Sequence, residues 1–498
     1  MPAHPVTVPQ ALARAAATWP TRSALEDGEA RLTWAELARQ AHAVASSLVD
    51  RGIRPGDRVA IWAPNSWAWV LAALGSHLAG ATLVPLNTRY KGAEATDILD
   101  RSGARLLFVA EGFLGLDLAG MLDRPDLPML RLPADLPALL ATPPGPLPEV
   151  DPEQPSDVLF TSGTTGRPKG VLTSQRQTVT TFTTWAETVG LRADDRYLVV
   201  APFFHAFGYK AGLLACVLTG ATMLPQPVFD AGQVLARLQP DRVSVLPGPP
   251  ALYESLLLAD RTGVDLSGLR LAVTGAAVVP EVLVRRMREE LGFETVLTAY
   301  GLTEACGVVT MCRQGDDDAT IASTSGRAIP DVEVRVVDAE GRSLPPGEPG
   351  EVVVRGYNVM LGYLDDPTAT ADAVREGWLH TGDVGVLDAR GCLRITDRLK
   401  DMFIVGGFNA YPAEIELALA GHPDVREVAV VGVPDPRLGE VGLAFVVPQD
   451  GPPDEAALIA WARERMANFK VPRAVRVVDA LPRNASGKVD KVALRRLA

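Results

Sequence analysis

Two apolar runs, Val59-Ala60-Ile61-Trp62 and Thr82-Leu83-Val84-Pro85, lie either side of a helical stretch over 67–77. Strands buried on both faces read as continuous apolar runs, and parallel neighbours need a crossover of a dozen or more residues. The spacing therefore predicts strand, helix, strand, and with it a parallel α/β layout. Upstream, residues 34–51 put Leu37, Ala41, Val44 and Leu48 on one helical face, and Gly52 follows. Strand-like segments at 158–160, 196–200, 243–246 and 271–273 continue the alternation. From Asp331 the pattern changes to short β segments, 332–337 and 351–355. Beyond 401, Pro412 suits the first turn of a helix ending near Gly421. Strands at 427–433 and 443–447 and a helix at 455–466 complete a small domain.

The expected fold is α/β. A large N-terminal domain, 1–396, combines mixed α/β subdomains having parallel-rich sheets with a β-rich subdomain. A hinge at 397–401 leads to a small α+β C-terminal domain, 402–498. Between 127 and 157 prolines crowd together (Pro143, Pro144, Pro146, Pro148, Pro152, Pro155), which predicts a surface connector rather than a sheet element.

Composition narrows the partners. The net charge of -12 argues against a broad nucleic-acid footprint. Cys216, Cys306, Cys312 and Cys392 contain no CxxC pair and fit free thiols in a reducing cytosol. No signal-peptide pattern opens the chain, and no apolar run approaches the ~20 residues that span a bilayer. A cytoplasmic protein without an integral membrane segment is expected; oligomeric state is not legible. Lys plus Arg total 48, yet only seven are lysines: Lys91, Lys169, Lys210, Lys400, Lys470, Lys488 and Lys491. A position that keeps Lys in so arginine-rich a chain can need a compact ammonium on a flexible stem.

One of them, Lys169, lies in the most informative segment, Thr161-Ser162-Gly163-Thr164-Thr165-Gly166-Arg167-Pro168-Lys169-Gly170. Glycines let the backbone approach an anion, successive N–H groups and hydroxyls donate, and Lys169 adds a point charge. The GxxxxGK[ST] order and the GxGxxG fingerprint are both absent.

This segment resembles the phosphate loop of the adenylate-forming superfamily, which includes acyl-CoA synthetases, adenylation domains of peptide synthetases and firefly luciferase. Further segments match in the family's order. Pro202-Phe203-Phe204-His205 resembles its aromatic gate, and Ala299-Tyr300-Gly301-Leu302-Thr303-Glu304 its nucleotide and magnesium motif. Trp378-Leu379-His380-Thr381-Gly382-Asp383 resembles its ribose motif, Arg398-Leu399-Lys400 its hinge, and Pro482-Arg483-Asn484-Ala485-Ser486-Gly487-Lys488 its C-terminal catalytic loop.

The resemblance implies an ATP-dependent ligase that makes an acyl-AMP and passes the acyl group to coenzyme A. It implies that Glu304 meets Mg²⁺, which takes few protein carboxylates beside substrate phosphates, and that Thr303 touches those phosphates. Tyr300, Gly301, Gly275, Ala276 and Ala277 would face the adenine. Asp383 and Arg398 would hold the ribose. Lys488 would supply the cation at the reacting phosphate, and His205 would act as a gate rather than a proton carrier. In the family the small domain swings about the position of Lys400 between two half-reactions, the second bringing the Gly407 turn toward the pantetheine channel. Lys470 and Arg473 are candidate contacts for CoA phosphates.

The acid pocket would draw on Phe204, Tyr209, Lys210, Pro247 to Pro249, Thr274 and Val308-Val309-Thr310, an apolar set with a few polar points. Lys210 is expected either to meet a remote ketone or second carboxylate of the acid or to be solvated or ion-paired. Long strings, 203–212, 297–305 and 397–414, are similar to an actinobacterial branch that activates a steroid-derived methyl-dioxo-octahydroindenyl propanoate. A medium- or long-chain fatty-acyl-CoA synthetase, a ligase loading an acyl carrier protein, and a luciferase-like oxygenase remain alternatives. A turnover-free nucleotide sensor would not need Glu304 and Lys488 together.

Overall fold

The computed structural model describes residues 5–161, 168–275, 279–398, 401–405, 408–449, 451, 453–466, 468–484 and 487–498, with the side chains of 398, 408 and 409 left out. The described chain forms two compact units. The larger holds the residues up to Glu333 and Val354–Leu379; the smaller holds Val334–Val353 and His380–Ala498.

In the larger unit the expected strand–helix–strand is present as Arg58–Trp62, Trp67–Leu78 and Thr82–Pro85. The two strands pair in parallel, Val59 opposite Leu83. They sit inside a seven-stranded sheet with the order Gly362–Tyr363, Lys169–Ser174, Pro155–Thr161, Thr82–Pro85, Arg58–Trp62, Leu106–Ala110, Met129–Leu132. The helix Trp34–Asp50 begins on a capping box, with Thr33 and Glu36 satisfying each other's backbone donors. It crosses Trp67–Leu78 closely because Gly75 leaves room: a Cβ there would lie 2.4 Å from Val44 Cγ1.

One expectation fails here. The segment Met129–Leu132 is no connector but the edge strand of this sheet, paired in parallel with Leu106–Ala110. Pro128 and Pro133 flank it and Leu130 and Leu132 alternate inward. Proline is tolerated at strand ends on a sheet edge, so local proline density did not exclude pairing. The proline-rich stretch 141–154 beyond it carries no strand.

A second sheet in this unit orders Ala30–Thr33, Ser23–Asp27, Thr222–Pro225 and Arg196–Val199, and a third orders Leu271–Gly275, Thr295–Tyr300, Thr310–Met311 and Arg327–Ala328. Val245 bridges to Tyr197 on one side and Leu271 on the other and joins them.

In the smaller unit, Gly439–Pro448 and Val425–Asp435 form a long antiparallel hairpin, with Phe403–Val405 and Ala474–Val477 also paired to the first. Its alternation covers both faces. Val430, Ala444 and Val446 pack with Ile415, Leu419, Leu458 and Ala462 from the helices Pro412–Ala420 and Glu455–Arg465. Ala429, Val431 and Phe445 pack with Leu481 and Leu494 on the other face. No described helix is long and apolar enough to cross a membrane.

Candidate active site

Strand Pro155–Thr161 leads into the segment that resembles a phosphate loop and strand Lys169–Ser174 follows it, antiparallel, with Thr161 opposite Lys169. Ser162, Gly163, Thr164, Thr165 and Gly166 lie outside the described residues. At the exit, the Arg101 guanidinium donates to the Pro168 carbonyl at 2.7 Å and lies 5.4 Å from the Phe160 ring centroid. Gly170 must be small, because a Cβ there would sit 2.8 Å from Val158 and 3.1 Å from Phe160.

Lys169 and Glu304 are both held by a residue the sequence reading missed, Tyr363. The Lys169 ammonium lies 4.8 Å from the centre of the Tyr363 ring, and the Tyr363 hydroxyl donates to Glu304 Oε1 at 3.0 Å. The ring face attracts the cation and the hydroxyl makes a charge-assisted bond to the carboxylate, so each charge has a partner without pairing directly with the other. Burial, then the neighbouring Glu304 charge, pushes the Tyr363 phenol well above its ordinary range, so its O–H remains a donor. Tyr363 arrives because Gly362–Tyr363 adds to the strand leaving the loop, Tyr363 opposite Val171, while Met360 N–H donates to the Glu304 carbonyl.

Thr303 and Glu304 occupy the single 3₁₀ turn Thr303–Ala305, closed by Cys306 at φ 55°. Tyr300 and Gly275 end the neighbouring strands Thr295–Tyr300 and Leu271–Gly275. A Cβ on Gly275 would meet the Ala299 carbonyl oxygen at 2.4 Å, and one on Gly301 the Gly307 oxygen at 2.1 Å. These glycines keep the strand ends low beside the predicted adenine position; Ala276 and Ala277 lie outside the described residues.

The segment that resembles the aromatic gate is pinned from an unexpected side. Asn65 Oδ1 accepts from Phe203 N–H at 2.7 Å, and its amide donates to the carbonyls of Val199 and Ala201. Phe203 is buried against Trp69, ring centroids 4.9 Å apart, whereas Phe204 is half-buried and His205 exposed. His205 caps the next turn, its Nδ1 accepting from Phe207 N–H at 3.2 Å.

The other residues expected to line the acid pocket are enclosed. Val309 and Thr274 are buried, and the Thr274 hydroxyl has no protein partner. Tyr209 is buried with its hydroxyl 2.6 Å from His77 Nε2. The expectation that Lys210 meets the acid is corrected: its ammonium is 1% exposed and ion-paired with Asp157 at 2.9 Å, so the alternative holds. A buried ammonium takes the nearest carboxylate because leaving either charge unpaired is costly. An Asp just ahead of the apolar strand residues 158–160, in a chain this poor in lysine, was the available signal.

In the smaller unit, Asp383 on Trp378–Leu387 faces Arg398 on Leu393–Arg398 across an antiparallel pair, and Asp383 is buried. The ribose candidates thus share one register position. Asp397 accepts from Ala413 N–H at the start of helix Pro412–Ala420, where a carboxylate is favoured. Lys488 is exposed and follows a tight turn in which Gly487 takes φ 82° and Asn484 Oδ1 accepts from Lys488 N–H at 3.0 Å. Lys470 is ion-paired to Glu414 at 2.6 Å. Lys400 and Gly407 lie outside the described residues.

Among the described residues no three His, Cys, Asp or Glu side chains cluster as metal ligands. One carboxylate such as Glu304 suits Mg²⁺ that arrives on a nucleotide and takes its other ligands from phosphate and water.

The AMP-binding enzyme model matches residues 12–364, and the AMP-binding enzyme C-terminal domain model matches 414–488. A Mycobacterium tuberculosis protein, the propanoyl:CoA ligase of the 7a-methyl-1,5-dioxo-octahydro-1H-inden-4-yl group, is 53% identical over 510 residues, covering 99% of both chains. The Rhodococcus jostii protein of the same name is 51% identical over 522 residues, also covering 99% of both. Among solved structures, ATP-bound MatB from Rhodopseudomonas palustris aligns with a TM-score of 0.90 at 31% identity, covering 99% of each chain. On a match spanning nearly its whole length, the chain belongs to the AMP-binding enzyme family and is an ATP-dependent acid–CoA ligase.

Proposed function

We propose that this ligase activates a hydrophobic, steroid-derived bicyclic acid, a methyl-dioxo-octahydroindenyl propanoate or a near relative. The observation carrying the activation chemistry is the Lys169–Tyr363–Glu304 arrangement beside the phosphate loop, one cation and one carboxylate kept separate around a single phenol. The substrate class is supported by full-length identity to the two octahydroindenyl propanoyl:CoA ligases.

A carboxylate is inert to thiols because hydroxide is a poor leaving group. In the proposed first half-reaction a carboxylate oxygen attacks the α-phosphorus of ATP, and pyrophosphate leaves. In the second, the CoA thiolate attacks the acyl carbonyl and AMP leaves. The loop residues Thr161–Gly166 and Lys169 bind the phosphates, Thr303 adds a hydroxyl, and a magnesium ion carried by the nucleotide would be held through Glu304 and neutralise phosphate charge. Tyr300 and Gly275 to Ala277 bound the adenine, and Asp383 with Arg398 accepts and donates to the ribose hydroxyls. Lys488 offsets the repulsion between the carboxylate and the α-phosphate. Residues 397–401, with Lys400, are assigned as the hinge about which residues 402–498 exchange Lys488 for the Gly407 turn between half-reactions.

The test is a panel of acids with ATP, Mg²⁺ and CoA: the dione propanoate, straight-chain fatty acids, ferulate and malonate. The expected result is thioester from the dione propanoate with AMP and pyrophosphate in equal amounts. Faster turnover of straight-chain acids overturns the substrate, and ADP in place of AMP overturns the chemistry. A phosphopantetheinyl carrier preferred over free CoA overturns the acceptor.

A further inference from the structure

The proposed chemistry leaves one conspicuous pair unused. Lys210 and Asp157 are 1% and 0% exposed, and their 2.9 Å ion pair is wrapped in hydroxyls. Lys210 Nζ donates to Thr173 Oγ1 at 2.7 Å and to Thr178 Oγ1 at 3.2 Å, and lies 3.6 Å from Cys306 Sγ. Thr173 donates on to Asp157 Oδ1 at 3.0 Å, and Ser156 donates to Oδ2 at 2.5 Å. Desolvating two charges is expensive, and apolar residues of similar volume often stabilise a core as well or better. Stability alone therefore gives no reason to keep this pair.

Its position gives one. Asp157 lies on the strand entering the phosphate loop and Thr173 on the strand leaving it. Thr178 belongs to the helix Gln175–Val189 that follows. Cys306 closes the turn bearing Thr303 and Glu304. Lys210 comes from Tyr209–Leu214, a π-helical turn directly after the His205 segment. Such turns insert an extra residue into a helix and are frequent at functional sites. Five chain segments, three of them carrying the nucleotide motifs, therefore meet on one ammonium. Alongside, burial holds the His77 imidazole down to about 4, so at neutral pH no second positive charge competes for Asp157.

We propose that Asp157–Lys210 is the positioning pair of the adenylation half-reaction, fixing both ends of the phosphate loop and the Glu304 turn in one frame against the gate segment. This rests on the two-step reading above. It makes an asymmetric prediction. The groups it aligns serve the β- and γ-phosphates, which depart as pyrophosphate before the thiol attacks. Thioester formation from supplied acyl-AMP does not need them.

The decisive variant combines Lys210→Met with Asp157→Leu, removing both charges at similar volume. Each single change leaves one buried charge unpaired and is expected to lower Tm sharply; the combined variant is expected to stay near the wild-type Tm. Its kcat/KM for ATP in pyrophosphate exchange should fall about tenfold to a hundredfold, the scale of a small misplacement of reacting groups. Thioester formation from supplied acyl-AMP should be unchanged. A folded double variant with wild-type exchange, or one losing both half-reactions equally, overturns the proposal. Should the double variant not fold, Thr178→Val is expected to lower exchange alone and Thr178→Ser to restore it; no loss in Thr178→Val overturns it equally. Wild-type enzyme that exchanges pyrophosphate with no acid sinks the two-step reading itself, which separates the two failures.

Discussion

Replacing Tyr363 by Phe removes one hydroxyl and keeps the ring. The lost bond runs from a neutral donor to the Glu304 carboxylate at 3.0 Å, and a bond to a charged group contributes about 1.5–3 kcal/mol. Glu304 is half-buried, so solvent screening favours the lower end, about 1.5 kcal/mol. Each 1.4 kcal/mol is about tenfold in affinity, and loss of a partner that orients a metal ligand typically costs 10–100-fold. The expected effect is a roughly tenfold increase in the free Mg²⁺ needed for half-maximal pyrophosphate release. The ring face still meets Lys169, so the Phe variant should keep its ATP affinity, while Tyr363→Leu should weaken both. Rates measured against free Mg²⁺ at saturating acid and ATP give one readout. Binding of Mn²⁺ in the presence of a non-hydrolysable ATP analogue, followed by electron paramagnetic resonance, gives another that does not depend on turnover. A Phe variant with unchanged metal response in both assays would refute the assignment of Tyr363 as the residue that orients Glu304.

Three further outcomes are expected. Lys488→Ala should lose acyl-AMP formation and still convert supplied acyl-AMP to thioester; equal loss of both half-reactions, followed by AMP and thioester release, counts against a two-state enzyme. Gly275→Ala places a Cβ 2.4 Å from the Ala299 oxygen, so it should cost about 1–3 kcal/mol in urea unfolding and raise the KM for ATP; a variant as stable as wild type would show that the strand ends yield freely. Acid sensitivity should come in two stages. The His77 imidazole is lowered from 6.5 to about 4 by burial, so the unfolded chain takes up that proton first and stability falls as pH drops from 6.5 toward 4. Glu26, lowered from 4.5 to about 2 chiefly by its bond to Arg196, contributes stability above 4.5 that is lost as pH falls toward 2. Thermal melts of wild type and His77→Gln between pH 7.5 and 4.5 check the first stage, since an equal slope in both excludes His77 as its source.

What the sequence made legible was local. The helix Trp34–Asp50 announces itself through its apolar face, Leu37, Ala41, Val44 and Leu48, and through Gly52 beyond its end, all within one short segment. Gly275 and Gly301 were marked by the family pattern, and the structure supplies the reason, since neither site has room for a Cβ. The strand Met129–Leu132 was lost because an edge strand needs only one partner and tolerates flanking proline, so composition around it misled. Tyr363 was lost for a different reason. It reaches Glu304 across 59 residues of sequence, and nothing in Gly362-Tyr363 itself distinguishes a phenol that holds a carboxylate from one that fills a core.

Lys210 joins these two kinds of information. Its rarity in an arginine-rich chain correctly marked a place where a guanidinium would not serve, and the structure shows why: one compact ammonium must reach Asp157, Thr173 and Thr178, on three different segments, from a buried position. A planar fork presents its donors in one plane and suits a bidentate partner instead. The sequence thus recorded the geometry demanded of the donor while giving no direction for it. A lone lysine in a pocket motif points to a ligand outside or a carboxylate inside, and only the ion pair of Lys210 with Asp157 decides between them. On the positioning role proposed for it, Lys210 would act on the substrate through the two strands that flank the loop, Pro155–Thr161 and Lys169–Ser174.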